Sequence, residues 1–203
     1  FGGHLWFLIN ILIYSLISIP IINILSNKKR QSKLISNLIR TRIGIFIFAL
    51  PVMLEGHLLD IVGYDENIGY GTDYSAYSNT DHGLLLGFIW FVIGIVLASQ
   101  GNVFWESNYK NINLHLVIGL SCSVFRIMSG FSDISNKLIA FESFNYIFVL
   151  LGLGARYLNK NSSQLKYYKE ALFPVYIVHL PVQMGLMYFF SKLGIPPLIK
   201  FLI

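Results

Sequence analysis

Long apolar runs separated by short polar stretches dominate the chain. A membrane-spanning helix needs about 20 mainly apolar residues. Six windows meet or approach that requirement: His4–Leu25, Arg42–Asp60, Gly83–Ser99, Asn113–Gly130, Leu138–Tyr157 and Ala171–Phe190. A seventh run begins near Pro196 and stops with the chain. The pattern predicts an all-α fold, a polytopic transmembrane helical bundle of about six complete spanning helices and a truncated seventh. The first window is too long for a signal-peptide core and has no basic residue before it, so it reads as a spanning helix. A chain that opens on Phe1 and closes inside an apolar run reads as a piece of a longer protein, cut at both ends.

Composition agrees with the pattern. Of 203 residues, 55% are hydrophobic and 12% are charged, about half the charged share of a soluble domain. The mean hydropathy is +0.62. A net charge of +5 raises nucleic acid as a partner. The basic residues, however, sit mostly in loops between apolar runs, so the expected partner is membrane lipid and not nucleic acid. The single cysteine, Cys122, excludes a disulfide framework.

Loop charge then orients the bundle. Lys28, Lys29, Arg30, Lys33, Arg40 and Arg42 follow the first window, Lys110 lies between the third and fourth, and Arg156, Lys160, Lys166 and Lys169 follow the fifth. No Lys or Arg occurs across Ile61–His82. Excess Lys and Arg marks the cytoplasmic side. Loops 26–41, 100–112 and 158–170 are therefore expected in the cytoplasm and loop 61–82 outside. That outer loop carries Tyr64, Tyr70, Tyr74 and Tyr77 among Gly, Asp and Asn. They read as interfacial tyrosines in a solvated loop, or as a stacking surface for sugars or peptides.

Polar residues inside the runs are the candidates for chemistry, because an ionisable group within a membrane is expensive to keep. In the fourth window His115, Gly119, Cys122, Arg126 and Ser129 recur at helical spacing and share a face. His115 is expected near the cytoplasmic edge. Arg126 should face the interior and meet an acid, with Glu55 or Glu142 available, either as a structural ion pair or as a substrate contact. The run LEGHLLD holds Glu55, His57 and Asp60; Glu55 is the deepest, and the others read as a helix end meeting water. His82 follows Asp81 at a helix start, where Asp caps. In the last full window Tyr176, His179 and Gln183 share a face, with Pro174 and Pro181 in the run. His179 reads either as a base toward a hydroxyl or as a buried, hydrogen-bonded histidine. His4 and Trp6 fall near the outer surface, where Trp is a common anchor. With no HExxH and no His/Cys cluster, the sequence offers no metal site.

Three segments add a resemblance. GHLWFLINILIY resembles the HLWFL-type helix of acyltransferase family 3, the multi-spanning membrane acyltransferases, in the branch that includes glucan biosynthesis protein C. GFIWFVIGIVLASQGNVFWE resembles that branch's helix ending in a Gly-rich turn before an aromatic and acidic pair, and ARYLNKNSSQLKYYKEALFPVYIVHLPV resembles its late FPxYxxH signature. The resemblance implies that residues 1–203 form one acyltransferase-like transmembrane domain, its later portion, in a bacterial cytoplasmic membrane. It implies transfer of an acyl group from a donor such as acyl-CoA, a co-substrate with no bound cofactor, to a hydroxyl of a carbohydrate or glycan. The family's principal histidine is implied to lie upstream of Phe1, which would leave this piece inactive alone. His4, Trp6, Pro174, Tyr176 and His179 match the family motifs, with His179 and Arg126 as supporting candidates. Glu55, His115 and Gln183 complete the expected substrate-lining set. A transporter or flippase for a glycan or lipid-linked sugar also suits a polar-lined bundle with prolines in a helix. A non-catalytic membrane subunit is the third reading.

Overall fold

The computed structural model describes residues 6–26, 33–62, 74, 80–130, 134–158 and 163–192. Its described elements are all helical: α1 (Trp6–Ile17), α2 (Ile19–Ser26), α3 (Lys33–Arg40), a 3-10 turn (Gly44–Phe48), α4 (Ala49–Val62), α5 (Asp81–Ser99), α6 (Asn102–Met128), α7 (Asn136–Tyr157) and α8 (Ser163–Ser191). Among the described residues, five helices are long and apolar enough to cross a membrane, or six if α1 and α2 count as one bent span. The chain divides into two compact units, residues 6–159, and residues 160–203 with 1–5. The seventh run, His4 and most of loop 61–82 lie outside the described residues.

Three features depart from the windows read in the sequence. The first window is a helix pair bent by 58°. Pro20 is the cause, because it has no N–H to give to the preceding turn. Next, α3 (KLISNLIR) packs its apolar side inward, burying Ile39 completely. At eight residues it is too short to register as a span. Last, α6 begins at Asn102, not at Asn113. The polar stretch ESNYKNIN continues the helix because its Ser107, Asn108 and Asn111 are buried against neighbouring elements.

The 6–159 unit is built on two seams. Antiparallel α6 and α7 form one, and α4 on α7 forms the other. Small residues let the backbones approach. A Cβ on Gly56 would lie 2.8 Å from the Asn136 carbonyl oxygen, and one on Gly152 would lie 2.5 Å from Ile112 Cγ1. Between the seams, Phe144 and Phe148 are fully buried with ring centroids 4.4 Å apart. Trp90 stacks on Phe144 at 5.9 Å, and Phe104 meets Phe148 edge-on at 6.1 Å. Tyr14 ties α1 to α5 by donating to the Leu84 carbonyl at 2.8 Å.

Helix ends are set locally. Thr80 caps α5 by accepting from Gly83 N at 3.0 Å, so Asp81 is the first helical residue and not the cap. Gly101, at φ +54°, permits the turn from α5 into α6. Asp60 corrects the expectation of a helix end meeting water. Its Oδ1 accepts from Asn136 N and Nδ2, both at 2.8 Å, and its Oδ2 accepts from Ser135 Oγ. A carboxylate from α4 thus binds the first turn of α7, where helix N–H groups favour negative charge.

Candidate functional site

The buried face of α6 holds Ser107, Asn108, Asn111, Ile112, His115 and Gly119. Spacings of three and four place them on one stripe. His115 lies thirteen residues after Asn102 and thirteen before Met128, at the middle of the helix. The bonds along the stripe assign its donors and acceptors. Ser107 Oγ donates to the Ile39 carbonyl, and Asn108 Nδ2 donates to the Phe148 carbonyl at 3.1 Å. On α7, Asn145 Nδ2 donates to the Phe141 carbonyl at 2.8 Å, which turns its oxygen toward His115 Nδ1 at 2.9 Å.

An amide oxygen only accepts, so Nδ1 carries the proton and the neutral ring keeps a lone pair on Nε2. His115 is fully buried, and Nε2 has no hydrogen-bond partner among the described residues. The ring is enclosed by Phe46 at 4.8 Å, Phe148 at 5.3 Å and Phe144 at 6.2 Å. A basic nitrogen fixed in tautomer and direction, at the midpoint of a membrane-length helix, can take a proton from a hydroxyl brought against it.

A second cluster sits toward the C-terminal end of α6. Glu142, not Glu55, is the acid that Arg126 meets. Arg126 Nη2 donates to Glu142 Oε1 at 3.1 Å, and Nε lies 3.0 Å from Oε2. Ser123 Oγ donates to Glu142 and accepts from Tyr146 OH at 2.7 Å. Along the axis Arg126 is about 16 Å from His115 at 1.5 Å per residue. The two therefore serve different levels of the seam.

Glu55 finds a partner the sequence did not suggest. It pairs with His82 Nδ1, and the two side chains are 1% and 0% exposed. His82 Nε2 lies 3.2 Å from the Tyr74 carbonyl. The Tyr74 ring rests 5.4 Å from the imidazole, and burial, followed by the Glu55 charge, pushes its phenol well above the ordinary range. His57, two residues from Glu55, is exposed.

The remaining candidates lie on α1 and α8. Trp6 opens α1 and meets Phe7 edge-on at 6.0 Å. Tyr176, His179 and Gln183 lie on α8, in the other unit. There His179 Nδ1 lies against the Tyr176 carbonyl one turn back, and their rings are 5.4 Å apart. Both prolines are accommodated within one continuous helix, so they do not break it.

Sequence reasoning missed Asn108, Asn145, Tyr146 and His82. Extending the His115 stripe backward by four and seven residues reaches Asn111 and Asn108, so that signal was present. Asn145 and His82 had none, because their partners lie 30 and 27 residues away. No family model, curated protein or solved structure matches the chain.

Proposed function

We propose that the chain is part of a membrane O-acyltransferase, moving an acyl group from a thioester donor such as acyl-CoA to a hydroxyl of a carbohydrate or glycan. The observation that carries this reading is His115, with Nδ1 bound by Asn145 and the Nε2 lone pair unmet among the described residues. In the proposed reaction the acceptor hydroxyl attacks the thioester carbonyl while Nε2 takes its proton. The tetrahedral oxyanion then collapses, the C–S bond breaks, and the departing thiolate recovers the proton. Asn145 fixes the ring so that the same nitrogen serves as base and then as acid. The resemblance of the three quoted segments to acyltransferase family 3 supports the same class, with loop 61–82 outside and the basic loops in the cytoplasm. A base midway along α6 suits a donor and an acceptor that reach the site from opposite ends of that helix.

A transporter or flippase is the second reading. It is favoured by the row Ser107, Asn108, Asn111, His115 and Asn145, buried along one seam, and by the 58° break between α1 and α2. One experiment separates the two. Membranes holding the full-length protein are given labelled acyl-CoA and a glycan acceptor, and covalent label on the glycan is followed. Proteoliposomes without acyl donor are assayed in parallel for glycan movement. Covalent transfer without unassisted movement supports the enzyme; movement without transfer overturns it.

A further inference from the structure

At the end of the seam where α6 begins and α7 stops, one cation rests on aromatic rings and pairs with no acid among the described residues. Arg156 lies in the last turn of α7. Its guanidinium carbon is 5.5 Å from the centre of the Tyr109 ring on α6 and 5.1 Å from that of Tyr157. The π-faces attract the guanidinium and restrain its fork. That contact leaves the five N–H donors for other partners. Arg156 is exposed, and so are Tyr109 and Tyr157, at 46% and 57%. Lys110, beside Tyr109, is a second exposed cation. Glu106, one turn before Lys110 on α6, forms no ion pair among the described residues.

Helix length puts this cluster at a boundary. α6 has 27 residues, so it is about 40 Å long, roughly 10 Å more than the hydrocarbon core of a bilayer. The surplus belongs at its polar start. Glu106, Tyr109 and Lys110 are exposed there, whereas Leu114, Leu116 and Val117 are exposed farther along. Tyrosines at such a boundary sit at headgroup level. One turn from Arg156 toward the middle of α7, Leu153 is exposed, and Leu116 is exposed two turns beyond Tyr109. A cation thus stands over apolar surface. We propose that Arg156, held over Tyr109 and Tyr157, binds the phosphodiester of an anionic glycerophospholipid whose acyl chains lie along Leu153 and Leu116. The guanidinium fork matches two phosphate oxygens, and both phenol hydroxyls can donate to the same group. Soluble phosphates share the anionic oxygens but have no chains for the apolar surface. The site does not depend on acyl transfer, and its test is separate.

The test titrates the full-length protein in detergent with phosphatidylglycerol and counts bound lipid by native mass spectrometry. Wild type should bind phosphatidylglycerol about tenfold more tightly than diacylglycerol, which has the chains without the phosphate. Arg156→Gln should weaken phosphatidylglycerol binding by about tenfold. Arg156→Lys keeps the charge without the fork, so it should recover only part of that loss. Lys192→Gln removes another cation that rests on a ring, 4.3 Å from the centre of Tyr188, and should bind as wild type does. Millimolar coenzyme A or inorganic phosphate should leave the lipid in place. Undiminished binding by Arg156→Gln, full recovery in Arg156→Lys or an equal loss in Lys192→Gln overturns the proposal. Displacement by either soluble phosphate also overturns it, because the ligand would then not be a lipid. If Arg156→Gln does not fold, Tyr109→Leu decides: it removes a ring and leaves the cation, and unchanged lipid binding overturns the proposal.

Discussion

His115 and Asn145 depend on each other unequally. Asn145 has its own anchor at the Phe141 carbonyl, whereas His115 has only Asn145 among the described residues to fix its tautomer. Asn145→Leu should therefore leave the imidazole present but unoriented. Acyl transfer is expected to fall on the order of a hundredfold, less than on loss of the imidazole itself; rates at matched protein amount check this. Arg126 and Glu142 make a different prediction. Glu142 is nearly buried but Arg126 is a third exposed, so Glu142→Gln should destabilise by about 1–2 kcal/mol, below the 3–5 kcal/mol of a fully buried pair. A double-mutant cycle with Arg126→Gln, read by thermal unfolding in detergent, gives the coupling. At this scale the sequence carried the α6 stripe and two acids for Arg126. It did not carry the Glu55–His82 pair, because Asp81 beside His82 looked like the cap that Thr80 provides. A contact spanning 27 residues leaves no local pattern.

Among elements, the α6–α7 seam is the one the site depends on, and Gly152 sets its spacing. Gly152→Leu would force Cβ into Ile112, which stands 2.5 Å from the place that atom must occupy. The expected loss is about 1–3 kcal/mol of stability, with acyl transfer falling as His115 and Asn145 are pried apart. Gly152→Ala combined with Ile112→Ala should recover most of it. Thermal unfolding and transfer rate measured on the same preparations check both. Element types were legible because a 20-residue apolar run in lipid has one outcome, a helix that satisfies its own backbone. The starts of elements were less legible. Hydropathy placed the fourth helix at Asn113, since ESNYKNIN is polar. Yet Ser107 and Asn108 bond to the Ile39 and Phe148 carbonyls, which makes those polar residues interior. The bend at Pro20 was readable in principle from the missing N–H.

For the whole molecule, five membrane-length helices and one bent pair among the described residues account for the apolar composition, and the basic loops are the basis of the proposed orientation. Cys122 is the only cysteine, so Cys122→Ser provides a background for mapping sides. Cysteines introduced at Ser78 and at Asn161, in the 158–170 loop, should react with an impermeant maleimide from opposite faces, Ser78 from outside. Labelling of both from one face would contradict the orientation. α8, with His179, belongs to a different compact unit from His115. His179→Ala is a useful comparison for that reason. The measurement that bears most directly on the account is the rate of label transfer from acyl-CoA by His115→Gln full-length protein, set against wild type at equal amount in membranes. A fall of about 10²–10⁴-fold is expected, the contribution of a positioned base. A wild-type rate from His115→Gln would contradict it.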